Sequence, residues 1–223
     1  MNTQTSTSIQ KILNAAQTYR SAILISVLII FYTVGAVGIL LEASREQFLS
    51  LSFFNLLLSF TILLLGREKR SSIFYLFVAI CYVTGIVVEW IGVHTGLLFG
   101  EYAYGKNLGL KIMDIPLIIG VNWAMLVFTS GSFVAHLKQA NWLKAMISAG
   151  LMTGLDAIME PVAIKSDFWQ WEGGVIPFYN YVCWFFISWA LLWIGFKLKL
   201  IESNKVSKAL FILLTVFFTI LNW

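Results

Sequence analysis

Seven apolar runs along the chain predict seven transmembrane helices. The runs are apolar on nearly all sides, whereas an amphipathic helix of a soluble protein has a polar face that repeats every 3.6 residues. The first six have, or nearly have, the roughly 17–25 residues that cross a bilayer. The seventh is shorter and spans only if Lys208 snorkels and Trp223 anchors it at the far interface. The runs are Ser21–Leu41, Gln47–Leu65, Ile73–Val93, Pro116–Ala135, Leu143–Pro161, Pro177–Phe196 and Ala209–Trp223.

This pattern predicts an all-α fold, a polytopic membrane helix bundle. A polar segment, residues 1–20, precedes a single transmembrane domain, residues 21–223. The first apolar run is too long for the core of a signal peptide and no A-x-A cleavage site follows it, so we expect a retained anchor. The connections are short except for two, His94–Ile115 and Val162–Ile176.

Composition supports a membrane protein and excludes several other classes. Hydrophobic residues make up 59% of the 223 positions and charged residues 12%, with a mean hydropathy of +0.84. Soluble domains carry about 25% charged residues. A disordered chain, a nucleic-acid-binding protein and a disulfide-rich secreted domain are all excluded. We expect Cys81 and Cys183, both in mid-span, to act as small apolar fillers.

The basic residues predict the orientation in the membrane. Eleven of the 15 Lys and Arg residues fall on the side that carries the N-terminus, and the other four are Arg45, Lys106, Lys111 and Lys165. By the positive-inside rule, the N-terminus is cytoplasmic and the C-terminus lies outside. Nine of the eleven acidic residues lie at or near the outer face. Any chemistry is therefore expected in the outer half of the membrane, where both long connections also lie.

Asp156 and Glu160 are the strongest candidates for catalysis. They are four residues apart in the fifth run, which places both on one helix face about 6 Å apart. At an effective dielectric of about 20, two charges at that distance repel by roughly 2.8 kcal/mol. Such a pair can hold one proton near neutral pH, as a general acid must. The alternative is structural: either carboxyl group could cap a neighbouring helix or pair with Lys165.

A second group of polar residues surrounds the outer end of the third run. Glu89 is a candidate partner of the acid pair or a structural residue, and Trp90 follows it directly. His94 is five residues from Glu89, so the two do not share a helix face, and it could equally be a hydrogen-bonded loop residue. Asp114 lies just before Pro116, where it could stabilise the start of the fourth helix.

Aromatic and polar residues in the long connections are open to two interpretations. Rings at these positions could form the aromatic belt of a membrane interface. Alternatively, they could line a cavity for a long apolar substrate, with ring faces that stabilise positive charge. The residues concerned are Phe99, Tyr102, Tyr104, Trp169 and Trp171. Two polar–aromatic pairs, Asn122 with Trp123 and Asn180 with Trp184, lie just inside the fourth and sixth runs, each after an Ile-Pro step, and suggest two similar hairpins.

Residue counts exclude three classes of membrane protein. Histidine-rich di-iron enzymes are excluded because His94 and His136 are the two histidines and lie on opposite sides. Prenyl transferases that bind diphosphate through Mg²⁺ need acid clusters such as D-D-x-x-D, which the sequence lacks. A retinal protein needs a lysine inside the membrane for its Schiff base, and the seventh run has none.

Two blocks of the sequence, Val87–Phe128 and Leu155–Phe185, resemble the membrane-integral carotenoid biosynthesis family that includes the carotenoid hydratases. They cover about a third of the chain and contain E-W-x-G from Glu89, T-G-x-x-F-G-x-Y from Thr95, D-x-x-x-E-P from Asp156 and W-x-W-E from Trp169. Cys183 stands before Trp184 where relatives are expected to have glycine.

The resemblance implies a cofactor-independent addition of water to the terminal double bond of an acyclic carotenoid end group. Asp156 or Glu160 would be the acid, and Glu89 its partner or the base that positions water. The resemblance also implies substrate-binding residues, which would be Asp114, Trp90, His94, Tyr102, Trp171, Asn180 and Trp184. No metal is expected, and the expected partners are a lipophilic carotenoid, the lipid bilayer and other enzymes of the same pathway.

Two alternatives remain open from the residues alone. A proton-coupled transporter or carotenoid carrier would also bury acids, although the cytoplasmic half has almost no buried polar group. A carotenoid end-group cyclase would begin with the same protonation and then lose a proton instead of gaining water. Under any of these functions, the protein is expected in a bacterial or archaeal cell membrane with its active face toward the outer leaflet.

Overall fold

Helices account for most of the chain, and every apolar run lies largely within one. The computed structural model describes the backbone from Thr3 to Trp223 and the side chains from Gln17 onward; Met1, Asn2 and the side chains before Gln17, among them Lys11 of the predicted polar segment, lie outside the described residues. The all-α prediction is confirmed for the described part. Its helices are α1 (Thr3–Leu40), α2 (Arg45–Ser50), α3 (Ser52–Gly66), α4 (Ser72–Thr95), α5 (Ile118–Val134), α6 (Asn141–Lys165), α7 (Phe178–Lys197) and α8 (Lys205–Leu221).

Several helix boundaries differ from the sequence-based expectation. The largest difference is at the first run, which was expected to begin at Ser21, whereas α1 begins at Thr3 and includes most of the predicted polar segment. The second apolar run is divided at Leu51 into the short helix α2 and the longer α3. The fifth run was expected to end at Pro161, but α6 continues through this residue to Lys165. A proline in a helix removes one backbone hydrogen bond, yet Pro161 lies on the exposed side of α6, where its ring meets little of the protein.

Four helical segments of the described chain are long and apolar enough to cross a membrane: Gln17–Leu40 within α1, α4, α6 and α7. The shorter helices have 15 residues in α3 and 17 in α5 and α8. At 1.5 Å per residue, 17 residues measure about 26 Å, which is less than the roughly 30 Å hydrocarbon core. Length and composition alone therefore support four spans.

Helix α5 lies at the centre of the bundle. Fourteen of its 17 residues are buried, and it contacts α4, α6, α8 and α3. Large apolar side chains are instead exposed on the outside of α1, α4 and α7, among them Ile30, Val34, Leu76, Val83 and Phe186. This inside-out distribution is expected of a protein surrounded by lipid.

The two long connections are joined by a small antiparallel sheet that the sequence did not predict. Strand β1 (Tyr102–Tyr104) pairs with β4 (Trp169–Trp171), so that Tyr102 lies opposite Trp171 and Tyr104 opposite Trp169. The connections approach so closely that a Cβ atom on Gly105 would lie 2.1 Å from the carbonyl oxygen of Asp167. A second antiparallel pair, the hairpin of β2 (Lys111–Ile112) and β3 (Ile115–Pro116), follows β1 in the first of these connections.

Candidate active site

Three carboxyl groups meet at a small cavity below the β1–β4 sheet. Asp156 and Glu160 extend from successive turns of α6, and Glu89 extends from α4. Their exposed fractions are 1% for Asp156 and Glu160 and 4% for Glu89. The cavity volume open to the centre of a water molecule is about 20 Å³, which is room for one water.

The Glu89 carboxylate accepts hydrogen bonds from three aromatic side chains. Tyr102 and Tyr104 donate their hydroxyls to Oε2, with the Tyr104 bond measuring 2.6 Å. Trp123 donates its indole N–H to Oε1 at 2.9 Å. Because an indole nitrogen can only donate, the Trp123 bond requires Oε1 to be an acceptor.

Burial raises the pKa of the Tyr102 and Tyr104 hydroxyls far above the ordinary tyrosine value, and the neighbouring Glu89 carboxylate raises it further. Both hydroxyls therefore keep their protons throughout the physiological pH range. They remain available as donors to Glu89.

The Glu160 carboxylate has a matching set of donors from β4 and α7. Trp169 and Trp171 both donate their indole N–H groups to Oε2 at 2.9 Å. The period of two along a strand places these two rings on the same side of β4. Asn180 donates to Oε1 at 3.2 Å, so both oxygens of Glu160 accept.

Asp156 differs from the other two carboxyl groups in its bonding. Asn180 donates to its Oδ2 at 3.2 Å. Its Oδ1 is buried and has no hydrogen-bond partner among the described residues. An oxygen without a donor is the one at which a carboxyl group can carry a proton without losing a bond.

Aromatic rings form one wall of the cavity. The indoles of Trp123 and Trp184 stack, and Phe99 packs obliquely against both at centroid distances of 6.4 and 6.3 Å. Phe99 has a φ of 66°, an uncommon conformation for a residue with a side chain. Its backbone N–H donates to Cys183 Sγ at 3.4 Å, so Cys183 positions this loop as well as filling space.

The structure brings seven of the ten predicted site residues to the cavity: Glu89, Tyr102, Asp156, Glu160, Trp171, Asn180 and Trp184. The two structural alternatives for Asp156 and Glu160, capping of a neighbouring helix and pairing with Lys165, are not observed among the described residues. Both side chains instead face this cavity. Indole and amide groups contact them, and no ion pair with Lys165 forms among the described residues.

The other three predicted residues, Trp90, His94 and Asp114, lie together away from the cavity lining. His94 stacks on the ring of Trp90 and places Nε2 3.5 Å from Asp114 Oδ2. Asp114 was also considered as a helix-start residue, but it occupies the β2–β3 turn with a φ of 64°, and α5 begins only at Ile118. A role for these three in substrate binding stays a prediction.

Several residues of the cavity wall were not among the ten predicted site residues, although Phe99, Tyr104 and Trp169 had been considered either as cavity-lining rings or as part of an aromatic belt. The wall residues outside those ten are Phe99, Tyr104, Ile119, Asn122 and Trp169, with Trp123 bonded to Glu89 directly behind the wall. A sequence signal for two of them existed: Y-x-Y and W-x-W have the alternation of a strand, which puts both rings of each motif on one face.

The described residues contain no group of three or more His, Cys, Asp or Glu side chains arranged to hold a metal ion.

Comparison with known proteins identifies the family. The sequence profile described as "Carotenoid biosynthesis protein" matches residues 47–223, which is more than three quarters of the chain. The chain belongs to this family. Every residue that lines the cavity falls inside the matched range.

A curated relative of this family member is the bisanhydrobacterioruberin hydratase of Haloarcula japonica. The two are 27% identical over 105 residues, which cover 44% of this chain and 36% of the relative. The match thus spans little more than a third of the relative's length. No solved structure matches the chain significantly.

Proposed function

We propose that this protein is a carotenoid hydratase, which adds water to the terminal C=C of an acyclic end group and gives a tertiary alcohol. One observation carries the proposal: three buried carboxyl groups surround a cavity with room for one water, and Asp156 alone among them has an oxygen without a hydrogen-bond partner in the described chain. The family and the similarity to a carotenoid hydratase support the same reaction.

Asp156 is the proposed acid. Its Oδ1 carries the proton, which it transfers to the less substituted carbon of the terminal double bond. The π electrons form the new C–H bond, and the more substituted carbon becomes a tertiary cation. Glu160 and Glu89, whose oxygens accept from indole, phenol and amide groups, remain carboxylates that stabilise this cation through space.

Glu89 is the proposed base that positions the water. The water oxygen donates an electron pair to the cation and forms the C–O bond, while one of its protons passes to a Glu89 oxygen. Return of that proton to Asp156 restores the starting state. The sum is one alkene and one water giving one alcohol, so the proposed reaction requires no cofactor.

The stacked indoles of Trp123 and Trp184 supply a face of negative electrostatic potential beside the acid cluster. A cation over such a face is stabilised by about 0.5–2 kcal/mol. The apolar wall also limits the number of waters, because the cavity accommodates about one. That single place for water favours hydration over a cyclisation that loses a proton.

The proposed topology has seven spans, a cytoplasmic N-terminus and the site in the outer half of a bacterial or archaeal cell membrane. Eleven of 15 basic residues on one side support this orientation. The carotenoid would then reach the site from the lipid bilayer, where other enzymes of its pathway also act. Labelling with a membrane-impermeant thiol reagent tests this topology. Cysteines are introduced one at a time at Glu46 and Lys138, and in intact cells we expect the cysteine at position 46 to be labelled and the cysteine at position 138 to be protected.

Pigment mass tests the reaction itself. The chain is expressed in a bacterial host that accumulates lycopene, and extracts are analysed by liquid chromatography and mass spectrometry. A gain of one water per processed end supports the hydratase. An unchanged mass with a new retention time and spectrum would indicate a cyclase, and an unchanged pigment in a host with abundant protein would contradict catalysis on this substrate.

A further inference from the structure

A second and much larger cavity lies on the other side of α6 from the acid cluster. Its volume open to the centre of a water molecule is about 510 Å³. It lies between α1, α2, α3, α8 and the end of α6 and is open to the outside, since Phe31 and Phe54 in its wall are exposed. The wall is formed mainly by aromatic and aliphatic side chains, which also include Phe168, Leu214, Phe217 and Phe218. The acid cavity, at about 20 Å³ by the same measure, is much smaller.

One polar group in this apolar wall has no hydrogen-bond partner. The carboxamide of Asn55 lines the cavity, and its Oδ1 is buried and unpaired among the described residues. The hydroxyl of Tyr32, which also lines the cavity, is by contrast bonded to Ser59 at 3.1 Å. An unpaired carboxamide oxygen is a free acceptor, to which a hydroxyl group can donate a hydrogen bond and a hydrocarbon cannot.

The two cavities lie at the same end of the bundle. Asp156 and Glu160 face the acid cavity, while Val162, on the next turn of α6, and Ser166, directly after the end of α6, face the large one. Directly after α6, Phe168 lines the large cavity and the adjacent Trp169 lines the acid cavity. A ligand of the large cavity would therefore lie at the same depth in the membrane as the acid cluster.

We propose that the large cavity is a binding site for a linear isoprenoid chain that ends in a hydroxyl, with the hydroxyl bonded to the Asn55 carboxamide. The choice of an alcohol as the ligand rests on the proposed function, because hydration of an acyclic end group produces a chain that ends in a hydroxyl. The aromatic wall accommodates the polyene chain, and Asn55 distinguishes the hydrated end from the hydrocarbon end. The large cavity then retains the product, in preference to the substrate, next to the acid cluster.

Binding of two matched pigments tests this proposal. The full chain with Asp156→Asn, which prevents turnover, is purified in lipid nanodiscs and incubated with either lycopene or lycopene that carries one tertiary hydroxyl end. Pigment retained after gel filtration is quantified by absorbance and mass spectrometry. One hydrogen bond gained predicts about tenfold tighter binding of the alcohol. The readout is binding, so failure of the hydratase assay would leave this test valid.

Three variants make the test specific. Asn55→Leu keeps the side-chain size and removes the hydrogen-bonding groups, so the preference for the alcohol is expected to disappear while lycopene binding persists. Gly35→Ile fills space in the wall, where an added Cβ would lie 3.6 Å from the Phe217 ring, and is expected to reduce binding of both pigments. Gly150→Ile is its matched control, since an added Cβ there meets nothing within 4 Å.

Equal binding of the two pigments, or a preference for the alcohol that Asn55→Leu leaves unchanged, would overturn the proposal. Retention of a phospholipid acyl chain from the nanodisc in place of either pigment, seen by mass spectrometry, would overturn it as well. Loss of both pigments in Gly150→Ile to the same extent as in Gly35→Ile would overturn the assignment of pigment binding to this cavity.

Discussion

The indole rings of Trp123 and Trp184 lie parallel within 9°, with their centroids 4.2 Å apart. Trp123 is bonded to Glu89 through its N–H, and Trp184 forms part of the cavity wall. The two stacked rings therefore connect the Glu89 carboxylate with the face of Trp184 beside which the proposed cation would form. Replacement of either ring has consequences for both.

Substitution of Trp184 by Leu is expected to reduce hydration about tenfold, because it removes the ring face that stabilises the cation. Trp184→Phe retains a smaller aromatic face and should lose less. Both are measured as product formed per amount of membrane-inserted protein. Equal activity of the Leu and Phe variants would show that ring electrostatics contribute nothing here.

The acid assignment predicts that Asp156→Asn lowers the hydration rate by a factor of about 10²–10⁴, the usual contribution of a general acid. Asparagine has nearly the same shape, so the protein should still elute as one species in detergent. Glu46→Gln, at an exposed carboxyl group, is the matched control and should be fully active. Full activity of both Asp156→Asn and Glu160→Gln would remove this site from the mechanism.

The two indole hydrogen bonds to Glu160 predict that substitution of Trp169 and substitution of Trp171 reduce activity to a similar extent. Trp169→Phe and Trp171→Phe each remove one N–H donor from the same oxygen and retain a ring. Each loss is expected to cost about 1–3 kcal/mol, or roughly a 5- to 150-fold loss of activity, because the donor serves a buried charged group. Activities of the two single variants and the double variant are compared. Unchanged activity in both single variants would contradict a functional role for these bonds.

Gly85 packs closely against Trp123, so the addition of a single methyl group at Gly85 is expected to destabilise the protein. A Cβ atom at Gly85 would lie 2.7 Å from the Trp123 side chain, so Gly85→Ala should displace this ring at a cost of about 1–3 kcal/mol. Gly150→Ala adds the same methyl group to open space in α6. It should be neutral or stabilising by up to about 1 kcal/mol. Thermal unfolding in detergent compares the two.

The tyrosines of β1 predict a dependence of stability on alkaline pH. Burial raises the pKa of Tyr102 and Tyr104 above their ordinary value of 10.0. Their contribution to stability is complete below pH 10 and decreases above it, because the unfolded chain then releases protons that the folded protein retains. The melting temperature should therefore fall as the pH rises above 10.

The variant with both Tyr102→Phe and Tyr104→Phe should be less stable at every pH and show a smaller decline above pH 10. Tyr75→Phe, at a ring that is 48% exposed, should retain the decline of the parent protein. If the double variant and the parent declined equally, the two hydroxyls would not be the groups responsible.

Much of the fold follows from hydropathy alone. Each of the seven apolar runs is largely helical because a backbone in lipid must satisfy its own hydrogen bonds, and a helix does so within one segment. The division of the second run at Leu51 was not predictable from an unbroken apolar sequence, since neither proline nor glycine marks it. The four spans supported by length leave the remaining crossings as a prediction.

The carboxyl cluster was also predictable, because acids inside a membrane are costly and i, i+4 spacing puts Asp156 and Glu160 on one face. The partners of these acids were harder to assign. Tyr104 and Trp169 contact the site through a pairing of two distant connections, and local periodicity carries no information about which segments pair. The same limit applies to Asp114, where nearness to Pro116 indicated a helix start and the chain instead forms a hairpin turn.

The β1–β4 pairing has a further consequence for how the site is assembled. One strand supplies the hydroxyls that hold Glu89, and the other supplies the indoles that hold Glu160. If the two strands separated, both carboxylates would lose donors in the same event. The strand donors of the two carboxylates are thus lost and regained together: the amide hydrogens of Ala103 and Gln170 should exchange with solvent at one common rate, and that rate should measure how often the site comes apart.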